Sequence, residues 1–154
     1  MDSNTIKSMR KLMILILPFL VYSCQNSIQD KIVDNIKKSG QGDSCIVKIV
    51  NITSFDWDKM YVFRENSGLE EVNKQLGFEY PYFEDIAKRI IFTKSKKVVY
   101  HEEEYPDPEK KSKLEFILGK DTTKVMAFTR RTAVFTAKKK IFFGWIYYEL
   151  KPLK

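Results

Sequence analysis

The chain contains little cysteine and little histidine. Its 154 residues include two cysteines, Cys24 and Cys45, and one histidine, His101. A disulfide framework needs several cysteines, and so does a multi-cysteine metal site, so this count excludes both. Cys45 lies in an apolar run, and we interpret it as a buried, unreactive side chain. The sequence predicts no metal and no cofactor.

Two common catalytic signatures are also missing. The sequence has neither a G-x-S-x-G nucleophile elbow nor an H-E-x-x-H metalloprotease motif. His101 is followed by three glutamates, and an imidazole beside acids can act as a general base. No nucleophile in a recognisable motif accompanies it, so we expect a surface histidine at the end of a strand. The alternative is a small envelope hydrolase that uses Asp56, Asp58 or His101.

One long apolar run lies near the N-terminus. Residues 12–22 are uncharged. The basic pair Arg10 and Lys11 precedes this run, and Ser23 and Cys24 follow it. Such a run is too short for a membrane-spanning helix, which needs about 20 residues, and its flanks are typical of a secretory signal peptide. One interpretation is a plain signal peptide in which Cys24 is incidental. The alternative is a lipid anchor at Cys24.

The end of this run resembles the lipobox of bacterial lipoproteins. Residues 21–24 read Val-Tyr-Ser-Cys, with a small residue before the cysteine. The resemblance implies that Cys24 carries fatty acids such as palmitate and begins the mature chain. We therefore expect a signal peptide over residues 1–23 and a membrane anchor at Cys24, with the protein in the cell envelope. Whether the inner or the outer membrane holds it stays open.

Beyond Cys24 the pattern predicts a helix and tether over residues 24–43 and a single domain over residues 44–154. Ser27 is a candidate cap for a helix over 25–38, in which isoleucines recur every four residues. Ser67 and Glu70 form a capping box for a second helix that ends near Gly77. Its apolar face is Leu69, Val72 and Leu76.

The remaining segments predict strands. Eleven Phe, eight Tyr and two Trp favour an aromatic-rich β core. Short turns between consecutive strands predict an α+β fold, mainly an antiparallel β meander with two short helices near the N-terminus. We expect residues 45–52 to be an inner strand because both faces are apolar. The other strands are expected at 60–63, 89–94, 97–103, 113–118, 124–129, 132–137 and 141–150, with a hairpin turn at Ser95–Lys96.

The net charge is +7, from 27 basic and 20 acidic residues spread along the chain. This balance favours an anionic envelope or an acidic partner, or simply a lysine-rich solvated surface. Basic residues 130–131 and 138–140 bracket the strand expected at 132–137 and would form a rim at a sheet edge. Nucleic acid is not an expected partner, because the chain has an export signal and no nucleic-acid-binding motif.

Asp56, Trp57 and Asp58 form the densest motif. The two carboxylates would share one side of an extended segment, where they could bind a cation or share a proton. The simpler interpretation is that they cap a turn, while Trp57 fills the space between the following strand and the second helix. Residues 49–78, with an F-x-WDK strand and an acidic helix ending in LG, resemble small bacterial lipoproteins and secreted proteins. The resemblance implies a shared fold and an envelope location, and it brings no activity.

These observations favour a lipid-anchored envelope protein that acts by binding an envelope protein or polymer, with no chemistry of its own. A variant is an inhibitor or immunity-type lipoprotein that occupies the active site of another protein. The aromatic cluster at residues 78–83 is either a binding patch or a loop packed on the core. The oligomeric state is not determined by the sequence.

Overall fold

The first helix, α1, spans Ile28–Ser39. The computed structural model describes residues 27–40, 44–109, 111–119 and 123–153, so Cys24 and the signal peptide expected over residues 1–23 lie outside the described residues. Ser27 caps α1, since its Oγ accepts a hydrogen bond from the backbone N–H of Asp30 at 3.0 Å. Gly40 ends the helix in the left-handed conformation. Both ends therefore follow ordinary capping chemistry.

The described strands form two four-stranded sheets. The elements after α1 are β1 Ser44–Lys48, a 3₁₀ turn Ile49–Asn51, β2 Lys59–Phe63, α2 Leu69–Leu76, β3 Lys88–Lys94, β4 Lys97–Glu104, β5 Leu114–Phe116, β6 Val125–Thr129, β7 Val134–Phe142 and β8 Trp145–Pro152. Sheet 1 has the order β1-β7-β8-β5 and sheet 2 the order β4-β3-β2-β6. All described pairs are antiparallel except β5–β8. The expected α+β fold class, with the helices N-terminal to most strands, is confirmed.

The two central strands of sheet 2, β2 and β3, are buried on both faces. Met60 and Val62 of β2 belong to the principal core, which sheet 1 and α1 complete. Tyr61 and Phe63, which alternate with them, belong to a second core with Val72 and other residues of the α2 side. Burial on two faces explains why β2 and β3 are almost continuously apolar in sequence.

Helix α1 is part of the principal core. Ile28, Ile32 and Ile36 share its buried face. Its first backbone N–H, that of Ile28, donates to the Tyr100 hydroxyl at 3.1 Å and to the Glu102 carboxylate at 2.8 Å, both on β4. These bonds satisfy a donor that every helix leaves open at its N-terminus. The helix is thus fixed to both the core and the sheet.

Two local expectations differ from the structure. Strand β1 is an edge strand paired only with β7, and Ile46 on its outer face is 60% exposed, so the expected inner strand is wrong. Helix α2 is capped by Gly68 instead of Ser67, because the Ser67 hydroxyl donates to the carbonyl of Lys124 at 3.2 Å. Leu69 consequently lies at the solvent side of α2 rather than on its buried face.

Strand β7 is longer than expected, and β8 begins at Trp145 instead of Ile141. Strand β7 continues to Phe142, so Lys138, Lys139 and Lys140 lie inside it instead of flanking a shorter strand. A two-residue turn, Phe143–Gly144, connects it to β8, and both turn residues have positive φ. The basic rim expected at residues 138–140 is therefore a lysine band along one strand.

Candidate functional site

Trp57 is a core side chain at the entrance to β2. It is 0% exposed, and its ring packs edge-on against Phe92 with centroids 5.1 Å apart. Its Nε1 donates to the Thr53 hydroxyl at 2.9 Å, which satisfies the one donor of the indole. Trp57 belongs to the principal core with α1, whereas Val72 of α2 belongs to the second core. The expected position between strand and second helix is therefore wrong.

The two flanking aspartates have separate partners. Asp56 accepts hydrogen bonds from Lys94 and Arg130. The hydrogen bond from Lys94 is the largest cause that holds the pKa of Asp56 below its usual range. Asp58 accepts from the backbone N–H of Ser95 at 2.8 Å, in the β3–β4 turn. The carboxylates thus tie this loop to neighbouring turns, and no group of three candidate metal ligands occurs among the described residues.

His101 lies within β4, opposite Ile91, and is half-buried. Its imidazole stacks on the ring of Tyr82, with centroids 4.1 Å apart and planes 11° apart. The ring of Tyr80 meets the imidazole edge-on at 6.1 Å. The expectation of a surface histidine is wrong, because the aromatic loop that contains both tyrosines covers it.

A buried ion pair lies on the same face of sheet 2. Arg89 is 1% exposed, and its Nε donates to Glu103 Oε1 at 3.1 Å. The Tyr80 hydroxyl donates to the same oxygen at 3.0 Å, and burial is the main cause that raises the pKa of Tyr80. The guanidinium also lies 4.3 Å from the ring centroid of Phe83 and donates to the Ser67 carbonyl at 3.3 Å. These contacts fix the aromatic loop to the sheet.

An open cavity of about 500 Å³, here named the Tyr82 pocket, borders this ion pair. Three aromatic rings and the carboxylates of Glu84 and Glu103 contribute to its wall, whereas the Glu102 carboxylate binds the start of α1 on the opposite face of sheet 2. A hydrogen bond from the Tyr105 hydroxyl to the Glu84 carboxylate closes one part of the wall. The lining residues are Pro81, Tyr82, Phe83, Glu84, His101, Glu102, Glu103 and Tyr105.

Three polar atoms at or beside the Tyr82 pocket lack hydrogen-bond partners within the described part of the chain. They are Arg89 Nη2, Glu103 Oε2 and His101 Nδ1. A buried polar atom without a partner costs about 1–3 kcal/mol, and natural proteins tolerate few of them. Their concentration at one place marks the Tyr82 pocket as the candidate functional site. Carboxylates and aromatic faces together suit a positively charged group.

The structure brings together only some of the residues singled out in the sequence. His101 and the aromatic loop meet in the Tyr82 pocket. Asp56 and Asp58 instead bind residues 94 and 95 at the far end of the β3–β4 hairpin. They therefore form no catalytic group with His101. Cys45 is half-buried and unpaired within the described ranges.

A scan of protein-family models, a search of curated proteins and a search of solved structures each returned no match. No helix in the described ranges is both long and apolar enough to cross a bilayer. Function is therefore inferred from the chemistry of the Tyr82 pocket and from the sequence pattern.

Proposed function

We propose that this protein is a lipid-anchored protein of the cell envelope that binds a partner through the Tyr82 pocket and catalyses no reaction of its own. Two sequence features support the anchor: the signal-like N-terminus ending at Cys24, and the resemblance of residues 49–78 to small bacterial lipoproteins and secreted proteins. One structural observation carries the binding function. Three aromatic rings and two carboxylates line a cavity that borders a buried ion pair with unfilled hydrogen-bond capacity.

The occupant that fits this lining is a basic group. Glu84 and Glu103 give the wall two negative charges against the one positive charge of Arg89, which pairs with Glu103. Aromatic faces and carboxylates bind ammonium and guanidinium groups well. The partner therefore presents a lysine or arginine side chain, or an amine of an envelope polymer. If the basic group lies in another protein's active site, this protein acts as an inhibitor or an immunity-type lipoprotein.

A photo-crosslinking residue at Tyr82 tests the binding function in intact cells. Tyr82 is half exposed, so its replacement by a benzophenone amino acid leaves the core unchanged. We expect an adduct of higher mass from position 82 and none from the matched position 46 on the outer face of β1. Equal yields from both positions, or no adduct from either, would contradict a partner at the Tyr82 pocket.

The charge of the pocket is tested separately. Glu84→Lys reverses one wall charge on an exposed side chain, and Glu79→Lys makes the same change in the same loop outside the lining. We expect the first variant to lose most of the crosslink from position 82 and the second to keep it. If both variants crosslink like the parent, the partner does not bring a basic group.

The anchor is tested by Cys24→Ser. Acyl chains stabilise membrane attachment by about 0.8 kcal/mol per buried CH₂, so their loss should remove the protein from its membrane. We expect the serine variant to lose fatty-acid labelling and to leave the membrane fraction. A variant that stays in membranes would show that the uncleaved apolar run at residues 12–22 holds the protein instead.

The hydrolase alternative receives no support from the described residues. Asp56 is engaged by Lys94 and Arg130, and Asp58 by a backbone N–H. His101 is stacked on Tyr82, and the nearby Ser67 hydroxyl donates to a backbone carbonyl. None of these arrangements places a general base beside a nucleophile, as an acyl-transfer site requires.

A further inference from the structure

Strands β7 and β8 extend beyond the rest of sheet 1 as a two-stranded ribbon. On one side, β1 pairs with β7 only as far as Lys138. On the other side, β5 pairs with β8 only from Tyr148 onward. Between these limits, and among the residues that the structure describes, β7 and β8 pair only with each other, up to the Phe143–Gly144 turn. The end of the ribbon therefore projects from the sheet.

The last six residues of this ribbon, 141–146, are here named the ribbon tip. Phe142 pairs with Trp145 on one face, and Ile141 pairs with Ile146 on the other. The five apolar side chains of the tip are half or more exposed: Ile141, Phe142, Phe143, Trp145 and Ile146. A protein partner with a flat surface would cover only one face of the strand pair. This tip is apolar on both faces and at its end, so it suits an apolar environment that surrounds it on all sides.

The turn residue Phe143 adds an independent observation. It is 89% exposed, and its φ of 45° lies in the left-handed region that glycine and asparagine prefer. With Gly144 at φ 83°, the two residues have the positive φ values of a type I′ turn. A phenylalanine there is unfavourable for the turn and gains little from burial, although its ring packs edge-on against Phe142 with centroids 4.6 Å apart. Most of its ring is therefore available for a contact outside the protein.

A band of lysines lies directly behind the tip. Lys138 and Lys139 are exposed, and Lys140 is 3.7 Å from Glu149 of β8. Alternation along β7 places Lys139 on one face of the ribbon and the other two lysines on the opposite face. An apolar end with cations behind it on both faces complements the acyl boundary and the anionic headgroups of a bilayer.

The N-terminus of α1 lies beside the same tip. A groove of about 640 Å³ has Ser27 and Asp30 of the α1 end in its wall together with Phe142, Phe143 and Trp145 of the tip. Carboxylates also line this groove, and Asp30 among them is paired with Lys113 at 2.9 Å. Cys24 precedes Ser27 by three residues, which span at most about 10 Å. A lipid on Cys24 would therefore enter the membrane close to the tip.

We propose that the ribbon tip inserts into the interfacial layer of an anionic bilayer and fixes the orientation of the protein on its membrane. The inference rests on the proposed function in that acylated Cys24 holds the chain at this bilayer. Three residue pairs of a strand ribbon measure about 10 Å, which matches the depth of interfacial insertion. The free backbone edges of the ribbon keep the tip out of the hydrocarbon centre, where unpaired N–H groups are costly.

Trp145 provides the measurement. The full chain is purified with its native N-terminus and mixed with vesicles of phosphatidylcholine and about one quarter phosphatidylglycerol, with or without brominated acyl chains. The only other tryptophan, Trp57, is buried in the core, and a Trp145→Phe variant gives its background signal. We expect brominated lipid to reduce the fluorescence of Trp145 about two-fold or more, because an inserted indole contacts acyl chains. The fluorescence of Trp57 should be unaffected.

Two tip variants and one control sharpen this result. Ile141→Ser should reduce the quenching, and Ile46→Ser, which removes an equally exposed isoleucine from β1, should not. Phe143→Asn should also reduce the quenching while raising the thermal midpoint, since asparagine suits the turn. Opposite effects on membrane contact and stability exclude a merely structural role for Phe143.

The outcomes separate the two proposals. A chain that sediments with vesicles while Trp145 stays unquenched overturns the tip insertion and leaves the anchor intact. If Trp145 stays unquenched but its fluorescence emission shifts to shorter wavelength, the tip insertion is also overturned. The tip is then buried by a second copy of the chain. A chain without fatty acid that sediments with Trp145 quenched supports the tip and counts against the anchor. A chain that remains in the supernatant overturns both.

Discussion

Replacing Arg89 by methionine should be among the most damaging single changes to this fold. Methionine fills a similar volume but removes the cation. Glu103 would then be a largely buried carboxylate whose remaining side-chain partner is the Tyr80 hydroxyl. The carbonyl of Ser67 would also lose its donor. Breaking a buried ion pair on one side typically costs about 3–5 kcal/mol, and we expect a loss in this range.

The double-mutant cycle isolates the cause of that loss. Glu103→Leu alone should also be costly, at about 3–5 kcal/mol, because it leaves the buried guanidinium without a counter-charge. Arg89→Met combined with Glu103→Leu removes both charges, and replacing a buried pair with apolar residues is often nearly neutral. We therefore expect the double variant to be more stable than either single variant. Urea unfolding followed by near-UV circular dichroism measures all three free energies of unfolding.

The surface pair Lys111–Glu115 is the matched control. Its atoms are 3.0 Å apart, almost the same distance as in the buried pair, but each side chain is one third exposed. Lys111→Met should cost less than about 1 kcal/mol. The reasoning is refuted if Arg89→Met costs no more than this control, or if the losses from the two single changes at the buried pair simply add.

Three further predictions follow from the packing and from one pKa. Trp57→Ala should cost about 3–5 kcal/mol and Asp58→Asn far less, since the amide still accepts from the β3–β4 turn; equal thermal melts for Trp57→Ala and the parent would contradict this. Leu76→Ala should cost about 2–5 kcal/mol and Leu69→Ala less than about 1 kcal/mol in urea unfolding, because only Leu76 is buried. Burial raises the pKa of Tyr100 from 10.0 to about 12, so the folded state retains a proton that the unfolded chain loses. Stability should therefore fall as pH rises from 10 to 12, and a Tyr100→Phe variant that keeps the full alkaline slope in melts across this range would contradict the assignment.

Local cap and turn chemistry made several elements predictable. Ser27 caps α1 as expected, and Gly77 ends α2 in the left-handed conformation. The hairpin turns at Ser95–Lys96, where both residues have positive φ. These features depend on a few neighbouring residues, which is the range over which sequence patterns act. The strong Ser67 capping signal failed because a distant carbonyl, that of Lys124, competes for the hydroxyl.

The candidate site was less accessible from the sequence because its register depends on a bulge. A regular hairpin closed by Lys94 and Lys97 would place Arg89 opposite Glu102. The irregularity between Phe92 and Thr93 shifts the pairing and places Arg89 opposite Glu103. A one-residue shift moves side chains to the other face of a sheet. The sequence alone gives no sign of this shift, so the buried ion pair was missed, although both residues were visible.

The order of strands in sheet 1 has a consequence for how the chain is made. Its first strand pairs only with β7, so Ser44 stays without its partner Lys138 until nearly the whole chain is present. Sheet 2 likewise lacks its edge strand β6 until residue 125 is available. Pairings between residues so far apart in sequence form slowly, because the entropy of closing a long loop must be overcome first.

A nascent chain that stops anywhere before β7 can therefore form the β3–β4 hairpin and its helices, but not the core that α1 shares with both sheets. Folding waits for the last strands to leave the ribosome. Such a delay leaves the core unformed during synthesis, and a narrow translocation channel accepts an exported chain only before its core has formed. The late closure of sheet 1 thus makes the fold compatible with passage through a membrane before folding.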